Sequence, residues 1–350
     1  MSKLNFCAYL LGLCVLFLSS CAGNINGKGY QVEEIVSSDG KVYQIFEVEY
    51  YCKGLADANG DIILKPQYSN IEYVHRPDAE DCCIVSYWDV VKYTEREREK
   101  SGCYSVYERP VPMTGVYTVT GKKILSAKYS NIEAYANDVF VTSSMPDIMG
   151  RTTKTLRKGD DKVWVGESVY VSKAGTCALG IVKDERDYLR YFFINPDTEK
   201  TFLLGGFNDY EIGDNCINYG GTAGVILDKD GEILVPEGRY DWVEIAAGDY
   251  IICEIGNYAC VYHMSNMETP CLGSEYRRFS RIKDAPGLFI VRELKTIEPY
   301  LSYQYGVISA SGEVLVPIIH HYIEVKDGNL ILDYSNDIVK IEDLMAKSNL

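Results

Sequence analysis

The pentapeptide Tyr68-Ser69-Asn70-Ile71-Glu72 returns unchanged as Tyr129-Ser130-Asn131-Ile132-Glu133, and the residues ahead of each copy follow one frame. A chain that repeats in this way must build its core by stacking copies of one small supersecondary unit. Each frame opens on a small residue and an apolar pair, then a turn: Asp57 to Gly60, Thr118 to Gly121, Asp228 to Gly231, Ser309 to Gly312. A short polar side chain at the first turn position can bond back to the turn backbone, and glycine at the fourth supplies a left-handed conformation. An apolar strand follows (Ile62–Leu64, Ile124–Leu125, Ile233–Val235, Val314–Val316), closed by Pro66, Pro236 or Pro317 in three of the four. Proline suits a position whose amide need not enter the ladder.

An aromatic and a glutamate come next: Tyr68 with Glu72, Tyr129 with Glu133, Tyr240 with Glu244, Tyr322 with Glu324. A third strand completes the unit, as in Cys82–Tyr87, Val139–Thr142, Tyr250–Cys253 and Leu330–Leu332. Diverged copies run from Phe193 to Glu211 and from Cys260 to Ile282, which makes about six units. The expected fold is therefore all-β: tandem three-stranded antiparallel β-meanders, with a propeller-like ring favoured over an open twisted array. Each unit is expected to bury one sheet face against its neighbours, and Tyr30 to Val48 to supply closing strands or a cap. A short helix is expected in the tail after Ser335, with Asp337 as its cap.

This frame resembles the WG repeat, a bacterial module named for a Trp-Gly pair ahead of a turn, a strand, a proline and a tyrosine. Here Lys53, Thr114, Ala223 and Tyr305 precede the glycines, so the tryptophan is missing. The resemblance implies a scaffold or binding role and no assigned activity.

The ends read differently. Lys3 and the apolar run Ala8 to Leu18 form a signal segment too short to span a bilayer as a helix. Leu18-Ser19-Ser20-Cys21 resembles the lipobox of bacterial lipoproteins, which implies lipid on Cys21 after removal of residues 1–20. Acyl chains contribute about 0.8 kcal/mol per buried CH₂, enough for several chains to anchor a protein without a membrane span. The expected organisation is a tether over residues 21–29, a single repeat domain over 30–340 and a tail over 341–350. The expected location is the cell envelope, with Ala22 after the cysteine favouring the outer membrane.

A formal charge of −15 argues against nucleic acid as a partner, since that affinity rests on Lys and Arg. Of twelve cysteines, Cys7 and Cys14 leave with the signal and Cys21 carries lipid, so the remainder is odd. Cys82 and Cys83 sit in an apolar run, where cysteine acts as a small hydrophobe. Cys253 and Cys260 flank Gly256-Asn257 as opposed hairpin residues, at a hydrogen-bonded position poorly suited to a bridge.

No phosphate loop, nucleophile elbow or zinc motif is present, and no cofactor or metal is expected. The repeated Glu72, Glu133, Glu211, Glu244 and Glu324 hold equivalent positions, so they are expected as solvated residues or lysine partners rather than a converging catalytic pair. Function is expected where the frame is interrupted, at residues 88–113 and 144–189. Trp88, Tyr93, Tyr104, Tyr107 and Trp164 are the candidate binding residues there. The leading expectation is a non-catalytic, lipid-anchored scaffold for a protein or other envelope partner. A glycan-binding module using exposed Tyr and Trp comes second, and a carboxylate-dependent glycan hydrolase third.

Overall fold

The computed structural model describes residues 25–348, apart from 27, 29, 49–51, 77–78, 206–208, 221–223, 274, 298–299 and 334–336. The signal segment, Cys21 and Ala223 lie outside the described residues. Contacts divide the chain into two compact units, Met1–Val169 and Tyr170–Leu350.

Among the described residues the strands form eight antiparallel sheets, six of four strands and two of three, each a meander in chain order. The first three sheets span residues 31–68, 70–129 and 131–166. The fourth begins at the boundary between the units (168–205), and the rest span 210–235, 242–263, 278–320 and 323–340. The all-β meander architecture agrees with the sequence. The strand count per sheet rises because Asn70–Val74 and Asn131–Ala134, read from sequence as part of a linking motif, are strands in their own right.

This extra strand moves the boundary. Tyr68 is the last residue of the first sheet and Asn70 the first of the second, so the repeated pentapeptide spans a corner between sheets. Tyr129 and Asn131 repeat the step. After each tyrosine, one N–H reaches back to the second strand of the new sheet. Ser69 donates to the Ser86 carbonyl at 2.8 Å, Ser130 to Ser143 at 3.0 Å, Asp241 to Glu254 at 2.9 Å and Arg277 to Arg292 at 3.0 Å.

The turns form as their sequences require. Gly60, Gly121, Gly231 and Gly312 have φ of 85°, 90°, 76° and 85°. The side chains of Asp57, Thr118, Asp228 and Ser309 accept from the backbone four residues on. The frame's first glycine has a different purpose. A Cβ on Gly54 would lie 2.7 Å from the Leu64 carbonyl, and one on Gly306 2.7 Å from that of Val316. The bulged last strand crosses there, so no side chain fits.

Both faces of the sheets are buried, rather than the single face expected from sequence. Cys83 and Val85 pack with Tyr43, Leu55 and Tyr68 of the first sheet, whereas Cys82 and Ile84 pack with Ile132 and Phe140 of the third. In the second unit Ile217 faces Leu179 and Phe193, whereas Cys216 faces Val243 and Ile251. Side chains alternate across a strand, so two buried faces demand an unbroken apolar run such as Cys-Cys-Ile-Val. Residues 31–36 and 42–48 are two strands of the first sheet itself, and Ile25 and Tyr30 pack on its Phe46. The C-terminal helix runs Ile341–Lys347 with Lys340 at its N-cap, later than expected, because Ile338–Lys340 pairs with Asn329–Ile331 as a strand. It seats Ile341 and Leu344 between the seventh and eighth sheets.

Candidate functional site

Two places depart from the regular stacking. The first is a ribbon in the first unit. Strands Cys82–Lys92 and Glu108–Thr118 pair along their whole length. Their outer neighbours stop at Ser86 and Thr114, so residues 87–92 and 108–113 project as a two-stranded arm. Its tip is the helix Glu95–Ser101, started by a Thr94–Glu97 capping box and ended by Gly102 in the left-handed region.

Trp88, Tyr104 and Tyr107 on this arm are 65%, 61% and 57% exposed. The Arg98 guanidinium lies 3.7 Å over the Tyr107 ring and fixes its orientation. Tyr93 donates its hydroxyl to the Pro146 and Asp147 carbonyls at 3.2 and 3.1 Å, and the Cys103 thiol sits 3.2 Å from the Met149 sulfur. The structure thus brings Tyr93, Tyr104 and Tyr107 together with residues 146–149. Trp164 is elsewhere, half-buried opposite Leu156 in the third sheet. Residues 144–189 supply two strands to the third sheet and two to the fourth.

The second place lies wholly within the second unit, where the first strands of the fifth, sixth and seventh sheets meet. Glu211, Glu244 and Arg281 lie on Tyr210–Ile212, Trp242–Ala246 and Arg278–Arg281. Ser280 stands where the repeat elsewhere places glutamate, and Arg281 follows it. Its Nη1 contacts Glu211 Oε1 and donates to the Ile245 carbonyl at 2.7 Å, and its Nε lies 2.9 Å from Glu244 Oε1. The Ile245 N–H donates to Glu211 Oε2 at 3.2 Å. Two of the five repeated glutamates therefore converge, contrary to expectation, because the Arg281 guanidinium bridges them. Glu133, by contrast, pairs with Lys154 at 3.2 Å as expected.

These residues line a cleft of about 270 Å³, together with Asp209, Tyr210, Asn218, Trp242 and Val243. Burial raises the Glu244 carboxyl above its ordinary value, against the pull of Arg281 and with the help of Glu211. Arg278 lies 5.3 Å from the Trp242 ring and 3.3 Å from Glu254 Oε1, which holds the indole in place. Asn218 is 5% exposed and its Oδ1 has no hydrogen-bond partner among the described residues. The sequence reading missed Arg281, Asn218 and Trp242. No repeat position marked Arg281, since matching the corner tyrosines Tyr276 and Tyr240 sets Ser280 against Glu244.

Corners, turns and shared faces of this kind define an all-β repeat protein of tandem small sheets. Residues 54–76 match the family model described as WG containing repeat. The matched segment crosses the first corner, taking two strands from one sheet and one from the next. A comparison with curated proteins finds no match. Among solved structures the chain is similar to the β-propeller domain of the Trilobed protease from Pyrococcus furiosus, at 9% identity and a TM-score of 0.31, covering 75% of this chain and 90% of that one. It is also similar to the uncharacterized protein lmo1340 from Listeria monocytogenes EGD-e, at 9% identity and a TM-score of 0.31, covering 78% and 92%. Likeness at this level carries no argument about function.

Proposed function

We propose that this WG-repeat scaffold is a non-catalytic lipoprotein, anchored in the outer membrane through Cys21, that captures a protein partner with the arm at residues 87–113. The observation that carries the reading is the exposure of Trp88, Tyr104 and Tyr107 along a ribbon that runs beyond its sheet. Large exposed aromatics on a braced element are the usual anchors of protein interfaces. The capping box, the Arg98–Tyr107 contact and the Tyr93 bonds to Pro146 and Asp147 brace the arm before any partner arrives, which lowers the ordering cost of binding.

The test uses the full-length lipoprotein in its own cells, with a photo-crosslinking residue at position 88 and a control at Tyr258 on the second unit. A discrete crosslinked protein from position 88, lost when residues 89–111 are replaced by a two-residue turn, supports the reading. Crosslinks of equal yield from both positions, or none from position 88, overturn it. Cys21→Ala should release the protein from the membrane fraction and abolish labelling by a radioactive fatty acid.

A further inference from the structure

The Arg281 cleft has the polar and apolar groups of a small-ligand site, and its chemistry narrows the occupant. A buried amide oxygen without a partner is costly, so the unpaired Asn218 Oδ1 calls for a donor from outside the chain. Arg281 spends Nε and Nη1 on Glu244, Glu211 and the Ile245 carbonyl, which leaves the hydrogens on Nη2 for an acceptor. The ligand must therefore both donate and accept within one small space. An anion would oppose the carboxylates of Asp209, Glu211 and Glu244, and it offers Asn218 nothing. An ammonium group would satisfy Asn218 but has no lone pair for Arg281.

Hydroxyl groups do both, and a ring carrying adjacent hydroxyls also offers an apolar C–H face to Trp242 and Tyr210. The volume, about 270 Å³, lies just below the roughly 300–1,000 Å³ of sites for drug-sized ligands, which limits the occupant to one such ring. We infer that the cleft formed by Asn218, Trp242, Glu244 and Arg281 binds a single pyranose ring of a neutral glycan. This site is separate from the arm at residues 87–113 and does not depend on it.

The chain's three tryptophans make the test direct. In full-length W88F/W164F protein, Trp242 is the sole indole, so its fluorescence reports on the cleft. The probes are methyl glycosides of the common hexoses and N-acetylhexosamines, with methylammonium chloride as a cation control. A saturable change with at least one glycoside, and none with methylammonium, is the expected result. Asn218→Leu in the same background should weaken that binding roughly tenfold or more, the loss of one good hydrogen bond. Thermal stability should stay level or rise, because an unpaired buried acceptor has been removed.

Silence towards every glycoside, a response to methylammonium alone, or unchanged glycoside affinity in Asn218→Leu would each overturn the inference. So would a marked fall in the melting temperature of Asn218→Leu, which would make Asn218 a structural group. Arg281→Lys with unchanged folding should weaken glycoside binding too, since lysine cannot reproduce the fork that serves both glutamates and ligand. Equal affinity in that variant counts against the site.

Discussion

Ser69 places both its N–H and its hydroxyl on the carbonyl of Ser86, at 2.8 and 3.0 Å, one residue after the first sheet ends. Ser130 does the same at the next corner, with its N–H on Ser143 and its hydroxyl on Ser144, 3.0 and 2.6 Å away. The N–H is common to four corners, whereas the hydroxyl is particular to these two. Ser69→Ala should therefore cost about 1 kcal/mol, and Ser69→Pro about 3 kcal/mol or more, because proline removes the donor that these four corners share. Urea unfolding of the two variants side by side checks the ranking, and equal losses would show that the corner does not rest on its N–H.

Gly115→Ala tests the close crossing of strands. The new Cβ would lie 2.7 Å from the Ala127 nitrogen and 2.9 Å from the Leu125 carbonyl, both backbone atoms that cannot rotate away. A loss of about 1–3 kcal/mol is expected, typical of overpacking. Alanine at Gly102, whose added Cβ meets nothing within 4 Å, strains only a left-handed turn at the arm's tip and should leave the melting temperature of the sheets unchanged.

Asp81 governs acid stability in the first unit. Its carboxylate is buried yet accepts from the backbone of Ser38 and Arg76 at 2.6 and 2.8 Å and from the Tyr73 hydroxyl at 2.7 Å. Burial pushes its pKa up, but these bonds outweigh that and hold it at about 2, below the ordinary 3.8. A depressed folded pKa gives stability that is complete above the unfolded value and fades as pH falls through the folded one. Asp81→Asn should thus lose on the order of 2 kcal/mol relative to the parent at pH 7, with the gap closing between pH 4 and 2. A gap that is constant with pH would assign the loss to geometry rather than charge.

The thiols report on how tightly the sheets pack. Burial pushes Cys82 up to about 11, and Cys83 and Cys253 up to about 12, so almost no thiolate exists at neutral pH. Cys253 and Cys260 are directly opposed, and both are free thiols. Iodoacetamide at pH 7.5 should modify the exposed Cys271 long before these three, which react only after unfolding. Peptide mass spectrometry over time separates the two classes, and equal rates would mean the sheet interiors open readily.

Much of this fold was legible because its punctuation is local. Glycine, the turn acid or hydroxyl, proline and tyrosine each answer to backbone geometry within a few residues, so they show in the sequence. The strand Asn70–Val74 did not, because Asn70 and Glu72 are exposed and interrupt the apolar pattern by which strands are recognised. Residues 144–189 carry the frame's turn at Asp147–Gly150 and Ser172–Gly175 but not the proline after the next strand, and so read as an interruption although they supply ordinary strands. On the arm, residue type alone pointed to Trp88, Tyr104 and Tyr107. In the cleft it could not single out Asn218, whose unpaired oxygen exists only once three sheets have come together.

The corner at Ser69 has a consequence for how such a chain can grow. The repeating unit of the sequence and the hydrogen-bonded unit of the structure are out of step by part of a sheet, like courses of brick with staggered joints. A tandem duplication of one sequence unit therefore yields half of one sheet and half of the next, and both halves find complementary edges in their neighbours. Copying errors can begin anywhere in the frame without leaving a raw strand edge. Length in such a lineage is free to change by whole units, while single-residue insertions fit at the turns and at the bulges of the last strand.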